Sequence, residues 1–167
     1  MELTQEYVKS LFDYKDGALY WKIRASSHVY PGQIAGSLNK KSNRVSIGIN
    51  RKDYLAARII FLWHFGYLPE CVDHRDIDSS NDRIENLRPA SRRQNNKNKK
   101  SAKNSYSKYL GVSWHKKLNK WRASINLGNK TTKHIGVFIN ENDAAFAYNE
   151  KAKEIHGEFA NLNIIEK

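Results

Sequence analysis

Val72-Asp73-His74-Arg75-Asp76, Asn81-Asp82-Arg83-Ile84-Glu85-Asn86-Leu87-Arg88-Pro89-Ala90 and Gln94-Asn95-Asn96-Lys97-Asn98 decide the reading of this chain. Cys71-Val72-Asp73-His74 reads as a short strand, and Arg75 to Asp82 as a loop rich in Asp, Ser and Asn. Asn86-Leu87-Arg88 reads as a second short strand. Ser91 can cap a helix that begins at Arg92 and carries Gln94, Asn95, Asn96 and Asn98. Asp73 and His74, adjacent in sequence, point to opposite faces of a strand unless it ends there. At a strand end followed by a loop, both can turn toward a common cleft. Asp73 and Asn95 offer hard oxygen ligands, which suit Mg²⁺ rather than zinc. Histidine as a residue type titrates near pH ~6.5, so His74 can take a proton from water at neutral pH.

Outward from this centre, three regions separate. Leu3, Tyr7, Val8, Leu11 and Phe12 have roughly helical spacing behind Thr4. Asp16-Gly17 signals a turn before a strand at Ala18–Ile23, and Arg44–Ile49 alternates as a second strand. Tyr54–Phe65 reads as a helix ended by Gly66, with Pro69 just beyond. Residues 97–108 (KNKKSAKNSYSK) have the composition of a linker, and their charge suits a phosphate backbone. Tyr109–Asn126 and Lys130–Phe138 read as three strands with turns at Leu118-Asn119 and Gly128-Asn129. Asn140 caps a closing helix to about Ile155, with Asp143 at the capping-box distance and Gly157 at its end. Its apolar stripe is Ala144, Tyr148, Ala152 and Ile155.

Charge points to the partner. The chain has 167 residues with 29 Lys and Arg against 17 Asp and Glu, a formal net charge of +12. Fourteen of those cations lie in residues 86–140, a span without a single Asp or Glu. The rest of the chain carries 15 cations against 17 acids and is close to neutral. A solvated surface normally mixes signs, so one-sided charge reads as a footprint for phosphates. The 40% hydrophobic and 11% aromatic content is too high for a disordered polybasic chain. One cysteine, Cys71, excludes an intramolecular disulfide and a Cys-pair zinc site. An acidic N-terminus without a signal-peptide profile, and no apolar run near membrane length, predict a cytoplasmic protein.

The Asp73–Asn98 constellation strongly resembles the HNH endonuclease family of the phage and homing type. Tyr54-Leu55-Ala56-Ala57-Arg58-Ile59-Ile60 and Gly66-Tyr67-Leu68-Pro69 resemble that family's lead-in helix and turn, so the likeness covers roughly residues 12–98. It implies that Asp73 and Asn95 are the metal ligands and His74 the general base. It implies that Asn86 is the middle Asn that braces the loop and orients His74. Asn95 stands where many relatives have His, and Ala57 where relatives often have His before the Arg. The implied ion is Mg²⁺, with Mn²⁺ able to substitute. Arg75, Arg88 or Arg92 could clamp flanking phosphates.

A second resemblance follows the linker. Tyr109-x-Gly111-Val112, Lys120-Trp121-x-Ala123, Ile135-Gly136-x-Phe138, Asp143-Ala144-Ala145-x-Ala147-Tyr148 and Gly157-x-x-Ala160-x-x-Asn163 look like the AP-two (ethylene-response-factor) DNA-binding domain. The scaffold residues agree over about 106–163, but the base readers do not. Where plant relatives place Arg, Glu and Trp, this chain has Leu110, Ser113, Ser124, Asn126, Thr132 and His134. The alternation Trp121/Ala123/Ile125 against Arg122/Ser124/Asn126 gives one apolar face for a helix and one polar face for a partner.

The expected fold is α+β: a ββα-metal nuclease domain (1–98), a basic linker (99–108) and a three-stranded antiparallel sheet on one helix (109–167). The expected function is a Mg²⁺-dependent, site-directed DNA endonuclease of the homing type, nicking or cutting both strands, and more readily monomeric than dimeric. Its partner is double-stranded DNA, with no membrane. Lys97, Lys99, Lys100 and Lys103 are expected on phosphates. Trp114, Lys116, Lys117, Arg122, Ser124, Asn126, Thr132 and His134 are expected on the DNA side of the C-terminal sheet. The rival from another class is a non-catalytic, sequence-specific DNA-binding regulator on an HNH scaffold. Retention of Asp73, His74, Asn86 and Asn95 together argues against it. A basic RNA-binding protein would favour exposed stacking aromatics, for which Trp114 is the only obvious candidate.

Overall fold

The computed structural model describes residues 3–95, 106–128 and 131–165. The chain divides into two compact units, Met1–Arg92 and Arg93–Lys167. In the first, α1 (Gln5–Leu11) starts at Thr4, whose side-chain oxygen accepts a hydrogen bond from the Tyr7 amide at 3.2 Å. Its end runs directly into a hairpin of β1 (Phe12–Lys15) and β2 (Ala18–Trp21) around the Asp16-Gly17 turn. A second sheet has the order β3-β4-β5, with β3 at Ser37–Asn39, β4 at Arg44–Ile49 and β5 at Lys52–Leu55.

Helix α2 (Ala56–Phe65) is the centre of this unit. Ile59, Ile60, Phe61 and Leu62 are all buried, as expected of a helix that is apolar nearly all round. Gly66 ends it in the left-handed region at φ 76°, its amide donating to Leu62 O. Tyr54 and Leu55, expected in the helix, belong to β5 instead. They pair with Ile47 and Ser46 across the sheet, and cross-strand pairing outweighs their helical spacing. Phe12, Leu19, Ile47, Val72 and Leu87 join the core around α2. The last two belong to the hairpin of β6 (Cys71–His74) and β7 (Leu87–Ala90), which is thereby anchored by apolar burial. Asn86, expected in the second strand, closes a short 3₁₀ turn (Ile84–Asn86) just before it. Helix α3 (Arg92–Asn95) follows β7 and spans the boundary between the units. Among the described residues no helix is long and apolar enough to cross a membrane.

The second unit is an antiparallel meander packed on one helix. Its strands are β8 (Val112–His115), β9 (Lys120–Gly128) and β10 (Thr131–Phe138), followed by α4 (Glu141–His156). Ala123 and Ile125 of β9 meet Ala144, Tyr148 and Ala152 of α4 in two small apolar clusters. The expected cap takes another form: the Asn140 side chain makes no capping bond, and its amide donates instead to Asp143 Oδ2 at 3.4 Å. A chain of amides ties the last segment down. Asn163 exchanges hydrogen bonds with Asn149, and its side chain pairs with both backbone groups of Leu110. Burial pushes the Tyr148 hydroxyl up to about 12, so this helix–sheet contact stays neutral through the physiological range.

Gly111 is the tightest point of that packing. It has φ 74°, and a Cβ there would lie 2.2 Å from the Tyr148 ring and 2.6 Å from Ser124 O. Gly111→Ala combines a left-handed alanine with overpacking against a fixed ring and a backbone oxygen. The expected loss is about 2–5 kcal/mol from the second unit. Thermal denaturation followed by Trp114 and Trp121 fluorescence checks this, and an unchanged transition would contradict it.

Candidate functional site

The site is assembled at the loop end of the β6–β7 hairpin. Asp73 and Arg88 are cross-strand partners, and the guanidinium holds Asp73 Oδ2 from Nε at 2.8 Å and from its terminal nitrogen at 2.7 Å. Both side chains are no more than 5% exposed. Arg88, expected as an exposed cation, is thus buried against Asp73. A buried charge is tolerated when paired, and here the partner is the neighbouring strand's carboxylate. Arg75 is exposed, and Arg92 is exposed with Glu70 at 3.3 Å.

His74 is the last residue of β6 and is likewise buried. Its Nε2–H donates to Asp82 Oδ1 at 2.8 Å, in a pair only 5% and 4% exposed. A carboxylate oxygen is an acceptor, so this bond assigns a ring proton to Nε2. Asp82 is a site residue that sequence reading had passed over. Its signal was weak: one acid in a loop rich in Asp and Asn, eight residues from the histidine it orients.

Asn86 closes the loop between the strands. Its Oδ1 accepts from the Asp76 amide at 3.0 Å, while its Nδ2 donates to Asp76 Oδ1 at 2.9 Å and to Asn81 O at 2.7 Å. Its backbone carbonyl accepts from the Arg75 amide at 2.9 Å, next to His74. Asp78 and Ser80 complete the inner lattice, with the Asp78 amide donating to Asp76 and the Ser80 amide and hydroxyl to Asp78. Ile77 sits at φ 65°, a costly conformation for a β-branched side chain, and the loop's hydrogen bonds hold it there.

The proposed metal donors are the Asp73 carboxylate and the amide of Asn95, which is half-buried at the end of α3. Among the described residues no group of three or more His, Cys, Asp or Glu could hold a metal ion. Mg²⁺ does not require such a cage, since it binds through one or two protein oxygens plus water and substrate phosphate. An Asp carboxylate and an Asn amide are each a hard oxygen donor of the kind Mg²⁺ takes.

In the second unit, register settles which side chains share a face. Residues directly opposite one another in an antiparallel pair project to the same side. Arg122 is opposite Ser113 and Val137, Ser124 opposite His134, and Asn126 opposite Thr132. A register shift between His134 and Gly136 keeps His134 and Val137 on this outer face. Lys116 and Lys117 are exposed in the β8–β9 turn. Trp114 departs from the expectation of an exposed stacking ring. It lies opposite Trp121, half-buried, with the two ring centres 5.1 Å apart at 70°. That register puts it on the side of the sheet facing α4. Asn96, Asn98, Lys97, Lys99, Lys100, Lys103 and the turn residue Asn129 lie outside the described residues.

Comparison with known proteins places the same region in context. Residues 54–97 match the family described as HNH endonuclease. Protein 3.8 of Escherichia phage T7 is 33% identical over 89 residues, which cover 53% of this chain and 72% of that protein. No solved structure matches.

Burial works against the Asp76 carboxylate. The hydrogen bonds it accepts from Asn81, the Asp78 amide and Asn86 outweigh burial and hold its pKa below the ordinary value. A depressed acid contributes stability that is complete above the unfolded value, about 3.9, and is lost as pH falls through the lower folded one. Carboxyl ¹³C titration of Asp76 should therefore give a midpoint below about 3.9. A midpoint at or above that value would contradict the lattice.

Proposed function

Because the chain belongs to the HNH endonuclease family, we propose that it is a Mg²⁺-dependent, site-directed endonuclease of double-stranded DNA, of the homing type. The observation that carries this is the paired arrangement at the end of β6. Asp73 and His74 are each fixed by a buried partner, and Asn86 closes the loop that follows. His74 Nδ1 takes a proton from the attacking water while Asp82 keeps the ring in place through Nε2. The hydroxide then attacks phosphorus in line, and the P–O bond to the 3′ oxygen breaks. Asp73 and Asn95 would hold Mg²⁺, which supplies charge neutralisation on the phosphate and the departing oxygen. Arg75 and Arg92 remain the exposed cations beside the hairpin that can meet flanking phosphates.

The second unit is read as an AP-two-like specificity module. The outer face carrying Arg122, Ser124, Asn126, Thr132 and His134 is of the kind that reads base edges from a sheet in the major groove. Lys97, Lys99, Lys100, Lys103, Lys116 and Lys117 would follow the backbone without regard to sequence. One copy per cut makes nicking the simpler outcome.

A specific observation favours the second reading, a DNA-binding regulator that has kept the scaffold: both Asp73 and His74 are almost fully buried in protein pairs. Cleavage separates the two. Supercoiled DNA incubated with the wild type should be nicked with Mg²⁺ and left intact with EDTA. His74→Ala should lose about 10²–10⁴-fold in rate while DNA affinity is retained. Undiminished cleavage by His74→Ala would overturn the role of His74, and binding without cleavage by the wild type would favour the regulator.

A further inference from the structure

The excess positive charge of the chain lies after residue 85, yet the β3–β4 turn of the first unit carries its own cationic group in a telling place. Lys40 and Lys41 are exposed in this turn, and Arg44 opens β4. The turn is rigidly built. Asn39 Oδ1 accepts from the Lys41 and Ser42 amides at 3.0 and 3.1 Å, and the Asn43 amide donates back to Asn39 O at 2.8 Å. It is also fastened to the loop that follows His74. Ser79 Oγ donates to Asn43 O at 2.9 Å, and Asn43 Nδ2 donates to Asp78 Oδ1 at 3.2 Å. Two segments about 35 residues apart in sequence are thus held as one surface.

Arg44 then borders the same shallow surface recess as His74, Ser79 and Asp82. It is half-buried and, among the described residues, has no carboxylate within ion-pair distance. The contrast with Arg88 is informative, since that equally central arginine is neutralised by Asp73. A partly desolvated guanidinium without a counter-ion, beside the histidine of the site, is suited to an anion supplied from outside. Its planar fork favours two oxygens of one phosphate.

We propose that Arg44, with Lys41 and Lys40 beside it, is a phosphate-binding site for the DNA strand that enters the His74 centre. This inference rests on the reading of that centre as the place where DNA is met. The site takes backbone phosphate and carries no sequence information of its own. The β3–β4 turn is therefore part of the nucleic-acid surface, fixed relative to His74 by Asn43 and Ser79.

The test uses the full chain and a fluorescein-labelled duplex of arbitrary sequence, with EDTA present so that no cleavage occurs. Fluorescence anisotropy is measured across a KCl series. The double variant Arg44→Gln/Lys41→Gln should flatten the salt dependence by about 0.9 log units for each lost contact. Arg51→Gln/Lys52→Gln removes the same charge at the opposite end of β4 and should leave the slope as in the wild type. Arg44→Lys keeps a cation and should retain most of the slope, with thermal unfolding recorded for every variant. Equal flattening by both double variants would show a net-charge effect and overturn the proposal, as would an unchanged slope in Arg44→Gln/Lys41→Gln. Loss by Arg44→Lys as large as by the double variant would make Arg44 a packing residue instead. Because the readout is metal-free binding, a chain that binds in this way but never cuts would refute the nuclease reading alone.

Discussion

Everything at the candidate site depends on how two neighbouring residues of β6 are neutralised. Asp73 and His74 are both buried, and burying an ionisable group without a partner is costly. The fold meets this with one partner from the next strand, Arg88, and one from the intervening loop, Asp82. Each partner can be in place only if β6 and β7 pair in their observed register and the loop closes as it does. The apolar anchors Val72 and Leu87 secure the register, and Asn86 secures the loop. Core packing, loop lattice and side-chain orientation are therefore a single constraint.

That constraint explains what was legible in the sequence and what was not. Elements with a local signature were readable. Thr4 capped α1, Gly66 ended α2, Gly157 ended α4, and alternation marked β4 and β9. Strands β1, β3 and β5 were missed because they are only three or four residues long and β3 is wholly exposed. Such strands exist through their partners, which are distant in sequence. The same holds for the buried pairs. Arg88, in Leu87-Arg88-Pro89-Ala90, reads as a surface cation until the strand opposite is known. Trp114 reads as a free ring until the register brings it to Trp121. Asp73, His74, Asn86 and Asn95 were named from the motif alone, whereas Asp82 and Arg44 needed the fold.

The two units divide the chemical demands in different ways. In the first, polar groups are buried and satisfied one by one, which fixes a few atoms closely and leaves little freedom around His74. In the second, the buried layer is mostly alanine, with Val112, Ile125 and two tyrosines, Tyr109 and Tyr148, and the polar residues stand on the outer face of the sheet.

The central claim is that Asp82 holds His74 as the base, and single-turnover cleavage by Asp82→Ala compared with the wild type tests it most directly. With Mg²⁺ and saturating protein, the rate of the cutting step should fall on the order of 10²-fold as the ring loses its orientation. The dissociation constant for the same duplex should stay within about twofold, because a buried Asp82 makes no contact that selects DNA. A cutting rate equal to that of the wild type would show that the His74–Asp82 bond holds the loop and takes no part in the chemistry.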